Sequence, residues 1–190
     1  MKTNMESMVL RAASLLILLL MFLLPLFSVP GYSIIRNTVR ELGAQLSPHA
    51  QIINFTFVFL AIGSVISGWA YFEGCVLHRI LLVAFGISLT LIAFFNHAPV
   101  DTYVRYNLTE AGYHEYFACT ALFSFIILTI STSFIMERQH DRAMALSTGL
   151  SAIVLSVLLT ESDQLAGIWE RLLFIISFGW MIYNFKTRKY

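Results

Sequence analysis

The stretch AQIINFTFVFLAIGSVISGWAY, from Ala50 to Tyr71, holds no Asp, Glu, Lys, Arg or His. A bilayer core about 30 Å thick takes roughly 20 apolar helical residues to cross. Inside lipid the backbone must satisfy its own polar groups, so a run of this length without strand alternation reads as a helix. Ser47 and Pro48 precede it as an N-cap and first-turn signal.

The pattern repeats on both sides of this block. Apolar blocks run over 12–29, 50–71, 79–95, 110–136, 142–160 and 165–184. The first ends in Phe27-Ser28-Val29-Pro30, which lacks a small-x-small cleavage site, so it is read as a retained helix rather than a signal peptide. Thr109 and Asp141 are the expected caps of the fourth and fifth blocks. The expectation is an all-α integral membrane bundle of six transmembrane helices, one domain over residues 1–190.

Composition agrees. Of 190 residues, 58% are hydrophobic and 12% charged, against about 25% charged in soluble domains. A net charge of +1 gives no bulk electrostatic case for nucleic acid. The lipid bilayer is the expected partner. Cys75 and Cys119 form neither a disulfide framework nor a CxxC pattern.

Lys and Arg set the orientation. With the N-terminus inside, Lys2, Arg11, Arg79, Arg138, Arg142, Lys186, Arg188 and Lys189 fall on the cytoplasmic side, against Arg36, Arg40, Arg105 and Arg171 outside. Both termini are therefore expected in the cytoplasm. The connection from Gly31 to His49 places Ile35, Val39, Leu42 and Leu46 at helical spacing, which predicts a short interfacial amphipathic helix. Gly63 with Ser67, Ser64 with Gly68, and the stripe Ala145, Thr148, Gly149, Ala152, Ser156 predict close helix packing.

Ionisable groups in spans are costly, about 2.5–3.5 kcal/mol each at the bilayer centre, and so call for a reason. Glu41, Asp101, His114, Glu170 and Arg171 all fall toward the extracytoplasmic side and are the candidate pocket residues. Glu115 and His97 lie beside them. Arg171 is expected to pair with Glu41 or Asp101. Such a group either pins helix ends together or lines a pocket for a small molecule or lipid headgroup. His97, Asp101 and His114 could also hold zinc, which would activate water for hydrolysis. A metal-assisted hydrolase acting on a lipid-like substrate through His114, Asp101 and Glu41 is one alternative. A structural or accessory subunit is another.

The same residues carry a resemblance. Arg40-Glu41-Leu42-Gly43-Ala44, then Pro48, Asn54 and Gly63, resemble the "S-E/D-L-G-A … P … N … G" opening of the bacterial membrane family called domain of unknown function 998. Phe95, Pro99 and Asp101 are similar to its "F-P-x-D" element, and Thr109, Gly112 and His114 to its "T-x-x-G-x-x-H". Gly167, Glu170, Arg171 and Trp180 resemble its "G-x-x-E-R … W" ending. Arg40 stands where Ser is usual. The resemblance implies a six-helix, multi-pass protein of the bacterial inner membrane with no assigned activity, and it singles out the same five residues.

Overall fold

The computed structural model describes residues 2–101 and 103–185. Lys186, Arg188 and Lys189, counted above for orientation, lie outside them. The described residues form α1 (Lys2–Leu23), α2 (Ala50–Tyr71), α3 (Val76–Phe94), α4 (Leu108–Ile135), α5 (Gln139–Glu161) and α6 (Ala166–Asn184), with no strand among them. All six helical segments are long and apolar enough to cross a membrane. The chain is an all-helical, six-span membrane bundle.

Several boundaries differ from the sequence expectation. α3 starts three residues early, at Val76 rather than Arg79, because His78 is buried and stacks on Phe72 in the preceding turn. Asn107, not Thr109, caps α4, its Oδ1 accepting from the Thr109 and Glu110 amides at 3.1 and 3.2 Å. α5 begins at Gln139, which leaves Asp141 in its first turn. Ser47 does not cap α2; its hydroxyl donates to the Leu42 carbonyl at 2.9 Å.

Consecutive helices pack side by side, and α1 meets α6 to close the ring. The short connections 72–75, 136–138 and 162–165 make neighbours antiparallel. Residues 24–49, 95–107 and 162–165 therefore gather at one end, the loop end, and the start of α1 and the end of α6 lie at the other. α6 presents Phe174, Phe178 and Trp180 inward, against Phe57 of α2, Phe85 of α3 and Phe125 of α4 at 5.9, 6.4 and 6.0 Å.

The burial pattern suits lipid. Leu15, Phe55, Ile80, Phe134, Leu150 and Val154 are exposed on the outside. Ser64, Thr129 and Thr132 are buried, and both threonines donate to carbonyls of their own helix. Small residues set the closest approaches, as expected. A Cβ on Gly63 would stand 2.9 Å from the Leu10 Cα, and one on Gly149 would stand 2.6 Å from Ile130 Cγ1.

The interfacial helix expected in the first connection does not form. Only a 3-10 turn, Arg40–Gly43, appears there. Val39 and Leu42 are buried under the loop, whereas Ile35 and Leu46 are exposed. Leu46 has a φ of 66°, a left-handed conformation that a continuous helix excludes. The loop folds back onto the helix ends because α6 supplies partners for its backbone.

Candidate functional site

At the loop end, Pro25 has no N–H, so the Met21 carbonyl four residues earlier loses its helical donor. Arg171 replaces it, with Nε and Nη2 both 3.3 Å from the Met21 oxygen. Nη1 donates to the carbonyls of Ile34, Asn37 and Gly167 at 2.8, 3.0 and 2.8 Å, and Nη2 also to the Tyr32 hydroxyl at 3.0 Å. The Tyr32 hydroxyl in turn donates a hydrogen bond to the Thr38 carbonyl at 2.7 Å, and burial pushes its pKa up to about 12. The expected pairing of Arg171 with Glu41 or Asp101 is not made. Backbone oxygens fill its fork instead.

Glu170, the adjacent residue, takes the opposite polarity. Its Oε2 accepts from the amides of Val39 and Arg40, and its Oε1 accepts from Arg40 Nε at 2.5 Å. One turn of α6 thus holds the first loop twice, by its carbonyls through Arg171 and by its amides through Glu170. Gly167 lets the loop come this near: a Cβ there would run into the carbonyl oxygens of Asn37 and Ile34.

Arg40 is the hub. Nη1 reaches Glu115 Oε2 at 3.2 Å. Burial works against its charge, but Glu170 and Glu115 outweigh that and hold its pKa above the ordinary arginine value. On the far side of Glu115, His97 Nε2 lies 2.9 Å from Oε1, and His97 Nδ1 lies 2.8 Å from the Ala98 carbonyl. Both partners are acceptors, an arrangement that the doubly protonated ring satisfies at both nitrogens. Burial opposes that charge, but the Glu115 carboxylate outweighs it and the pKa is raised above 6.5. The result is one connected chain: Glu170, Arg40, Glu115, His97.

The other sequence candidates sit apart from this chain or at its edge. Glu41 caps its own turn. Its Oε2 accepts from the Thr38 amide at 2.5 Å, while the Glu41 amide approaches Thr38 Oγ1 at 3.4 Å, a reciprocal capping box. Asp101 is exposed and accepts from the Tyr103 amide at 2.9 Å. His114 is buried; Nδ1 lies 2.7 Å from the Phe95 carbonyl, and its ring meets His97 edge-on at 5.1 Å. The zinc set His97, Asp101 and His114 is not assembled, nor is the hydrolase set His114, Asp101 and Glu41. Among the described residues no three His, Cys, Asp or Glu side chains are grouped to hold a metal ion.

Amides stitch the two long loops together. Gln45 Oε1 accepts from the Asn107 amide at 2.8 Å and Nε2 returns to its carbonyl at 3.0 Å. Asn54 Nδ2 donates to Asn96 Oδ1 at 2.7 Å, and the Asn96 amide donates to Glu110 Oε1 at 2.8 Å. Most of the polar groups at this end are therefore spent on holding a cap.

Beneath the cap lies a cavity of about 340 Å³ between α3, α4, α5 and α6. Arg40, Glu115 and Glu170 line it, and most of its wall is apolar, with Leu89, Ile92, Leu122, Phe125, Phe174 and Phe178 among the lining side chains. Of the five sequence candidates only Glu170 reaches it. Arg40 and Glu115 are charged lining residues outside the five sequence candidates. A second hollow, at the start of α2, is lined by Gln45, Ser47, Asn54 and Asn96 with no Asp, Glu, Lys or Arg.

The family described as protein of unknown function (DUF998) matches residues 12–183. The chain belongs to this family. The match spans all of α2 to α5 and ends within α6, so it includes both halves of the cap and the cavity. No curated protein and no solved structure matches.

Proposed function

We propose that this protein binds a lipid-like amphiphile, with the polar head at Arg40 and Glu115 and the apolar portion in the cavity below. One observation carries the reading: the lining of a single cavity combines ion-paired side chains from the loop end with aliphatic and aromatic side chains from four helices. Its volume falls in the range of small-ligand pockets, about 300–1,000 Å³. A soluble metabolite would waste the apolar wall, and a plain hydrocarbon would waste the charges. The excess of Lys and Arg toward the terminal end supports a loop end that faces the extracytoplasmic side of a bacterial inner membrane.

A structural or accessory role is the second reading. It is favoured by Arg171 and Glu41, whose hydrogen-bonding groups are engaged by the loop itself. The two readings separate in a stability assay on purified protein. A short-chain phospholipid is expected to raise the unfolding temperature, while its water-soluble head alone does not. Ala118→Phe, which fills the cavity, is expected to remove the effect. A purely structural cap gives the same response with and without that substitution.

A further inference from the structure

We infer that the cavity selects an amphiphile whose head carries a phosphate and a primary ammonium together; this rests on the amphiphile-binding reading above. The selection follows from what remains unspent at the mouth. Arg40 uses Nε on Glu170 and Nη1 on Glu115, while Nη2 has no acceptor among the described residues and is not sealed from solvent. Glu115 meets Arg40 and His97, yet its side chain remains 51% exposed. The mouth thus offers one set of unused guanidinium donors and one accessible carboxylate.

Each single-charge head is half wrong for this pair. An anionic head gains Arg40 but also faces Glu115 and Glu170, the two carboxylates that line the cavity. A purely cationic head gains Glu115 but faces Arg40. A head with both charges satisfies both residues. Exposure agrees with this order. The Arg40 side chain is 15% exposed and that of Glu115 51%, so the guanidinium is the more buried of the two charges. In an aminoethyl phosphate head the phosphate is next to the glycerol and chains, and the ammonium is outermost. Inner phosphate on Arg40 and outer ammonium on Glu115 place the chain toward Leu122 and Phe174. His97 holds one oxygen of the Glu115 carboxylate at 2.9 Å, and that side chain is still half exposed.

The test uses the full chain with Cys75→Ser, reconstituted in vesicles of equal parts phosphatidylethanolamine, phosphatidylglycerol and phosphatidylcholine with matched chains. Retained lipid is then read by native mass spectrometry. Cys119 lines the cavity and is exposed, so alkylating it with a bulky maleimide blocks the site. The expected result is retention of phosphatidylethanolamine above the other two, loss of that lipid on alkylation, and a roughly tenfold fall in its excess over phosphatidylglycerol in Glu115→Gln, as one charge-assisted hydrogen bond gives. Retention of phosphatidylglycerol or phosphatidylcholine at an equal or higher level, again lost on alkylation, overturns the head assignment and leaves the cavity reading standing. No retained lipid, or retention indifferent to alkylation, overturns the cavity reading itself. The wild-type head ratio needs no variant, so poor folding of Glu115→Gln leaves the test decisive.

Discussion

Arg171 donates two hydrogen bonds to the Met21 carbonyl, the oxygen that Pro25 leaves without a helical donor. A break in α1 is thereby repaired from α6, 150 residues away in sequence. Arg171→Ala uncovers that carbonyl and those of Ile34 and Asn37, each worth about 1–3 kcal/mol when buried without a partner. A loss of about 3 kcal/mol or more is expected in detergent unfolding. In Pro25→Ala the helix regains its own donor. The double variant should therefore lose less than the sum of the two single changes, as a double-mutant cycle can measure.

Gly167 and Gly179 lie on the same helix and should respond oppositely to alanine. At Gly167 the new Cβ meets the Ile34 and Asn37 carbonyls, whereas at Gly179 nothing lies within 4 Å. Gly167→Ala is expected to destabilise by about 1–3 kcal/mol, the usual range for overpacking. Gly179→Ala should be neutral or mildly stabilising, because alanine favours helix. Thermal melts of the two purified variants check this.

Glu170→Gln keeps the shape but removes the charge that Arg40 Nε meets at 2.5 Å. Breaking a buried pair by removing one partner costs about 3–5 kcal/mol. Gln can still accept from one loop amide, so a value at or below the low end of that range is expected. Asp101→Asn, on the exposed second loop, is expected to change stability by less than about 0.5 kcal/mol. Equal effects at the two positions would show that the Arg40–Glu170 pair is not what anchors the loop.

Stability should depend on pH through His97. Its folded-state pKa lies above the ordinary 6.5, so the native state binds the proton more tightly than the unfolded chain does. The His97–Glu115 contribution is complete below pH 6.5 and is lost as pH rises through the raised native value. Unfolding midpoints measured from pH 5 to 9 should therefore fall across the upper part of that range. His97→Gln should flatten that fall.

The helices were legible in the sequence because each apolar run matches a bilayer, and a run such as Ala50–Tyr71 has no second interpretation. The cap was only partly legible. Glu170 and Arg171 stood out through the cost of burying charge, but most of their partners are backbone groups, which no residue pattern announces. Pro25 was the available hint, since it frees a carbonyl at Met21. Thr38-Val39-Arg40-Glu41 was another: it is a capping-box pattern, and it explains Glu41 without a pocket. Arg40 registered as an outer-side charge and as a departure from the family pattern, although it joins Glu170 to Glu115. Asp101 was selected for its charge and for its place in the F-P-x-D resemblance, but its side chain serves its own loop. The amphipathic spacing of Ile35, Val39, Leu42 and Leu46 suggested a helix, but the α6 side chains captured the backbone groups that such a helix needs.

The most direct measurement of the cavity reading is photolabelling of the reconstituted protein by a phospholipid with a diazirine in its chain, mapped by peptide mass spectrometry. Ala118, Leu122 and Phe174 line the cavity, whereas Phe134, Leu150 and Val154 face outward. Labelling at the first three should saturate and be displaced by unlabelled lipid, while labelling at the outer three rises in proportion to the probe. Proportional, undisplaced labelling at all six positions would contradict a lipid-binding cavity and leave the loop end as a structural cap alone.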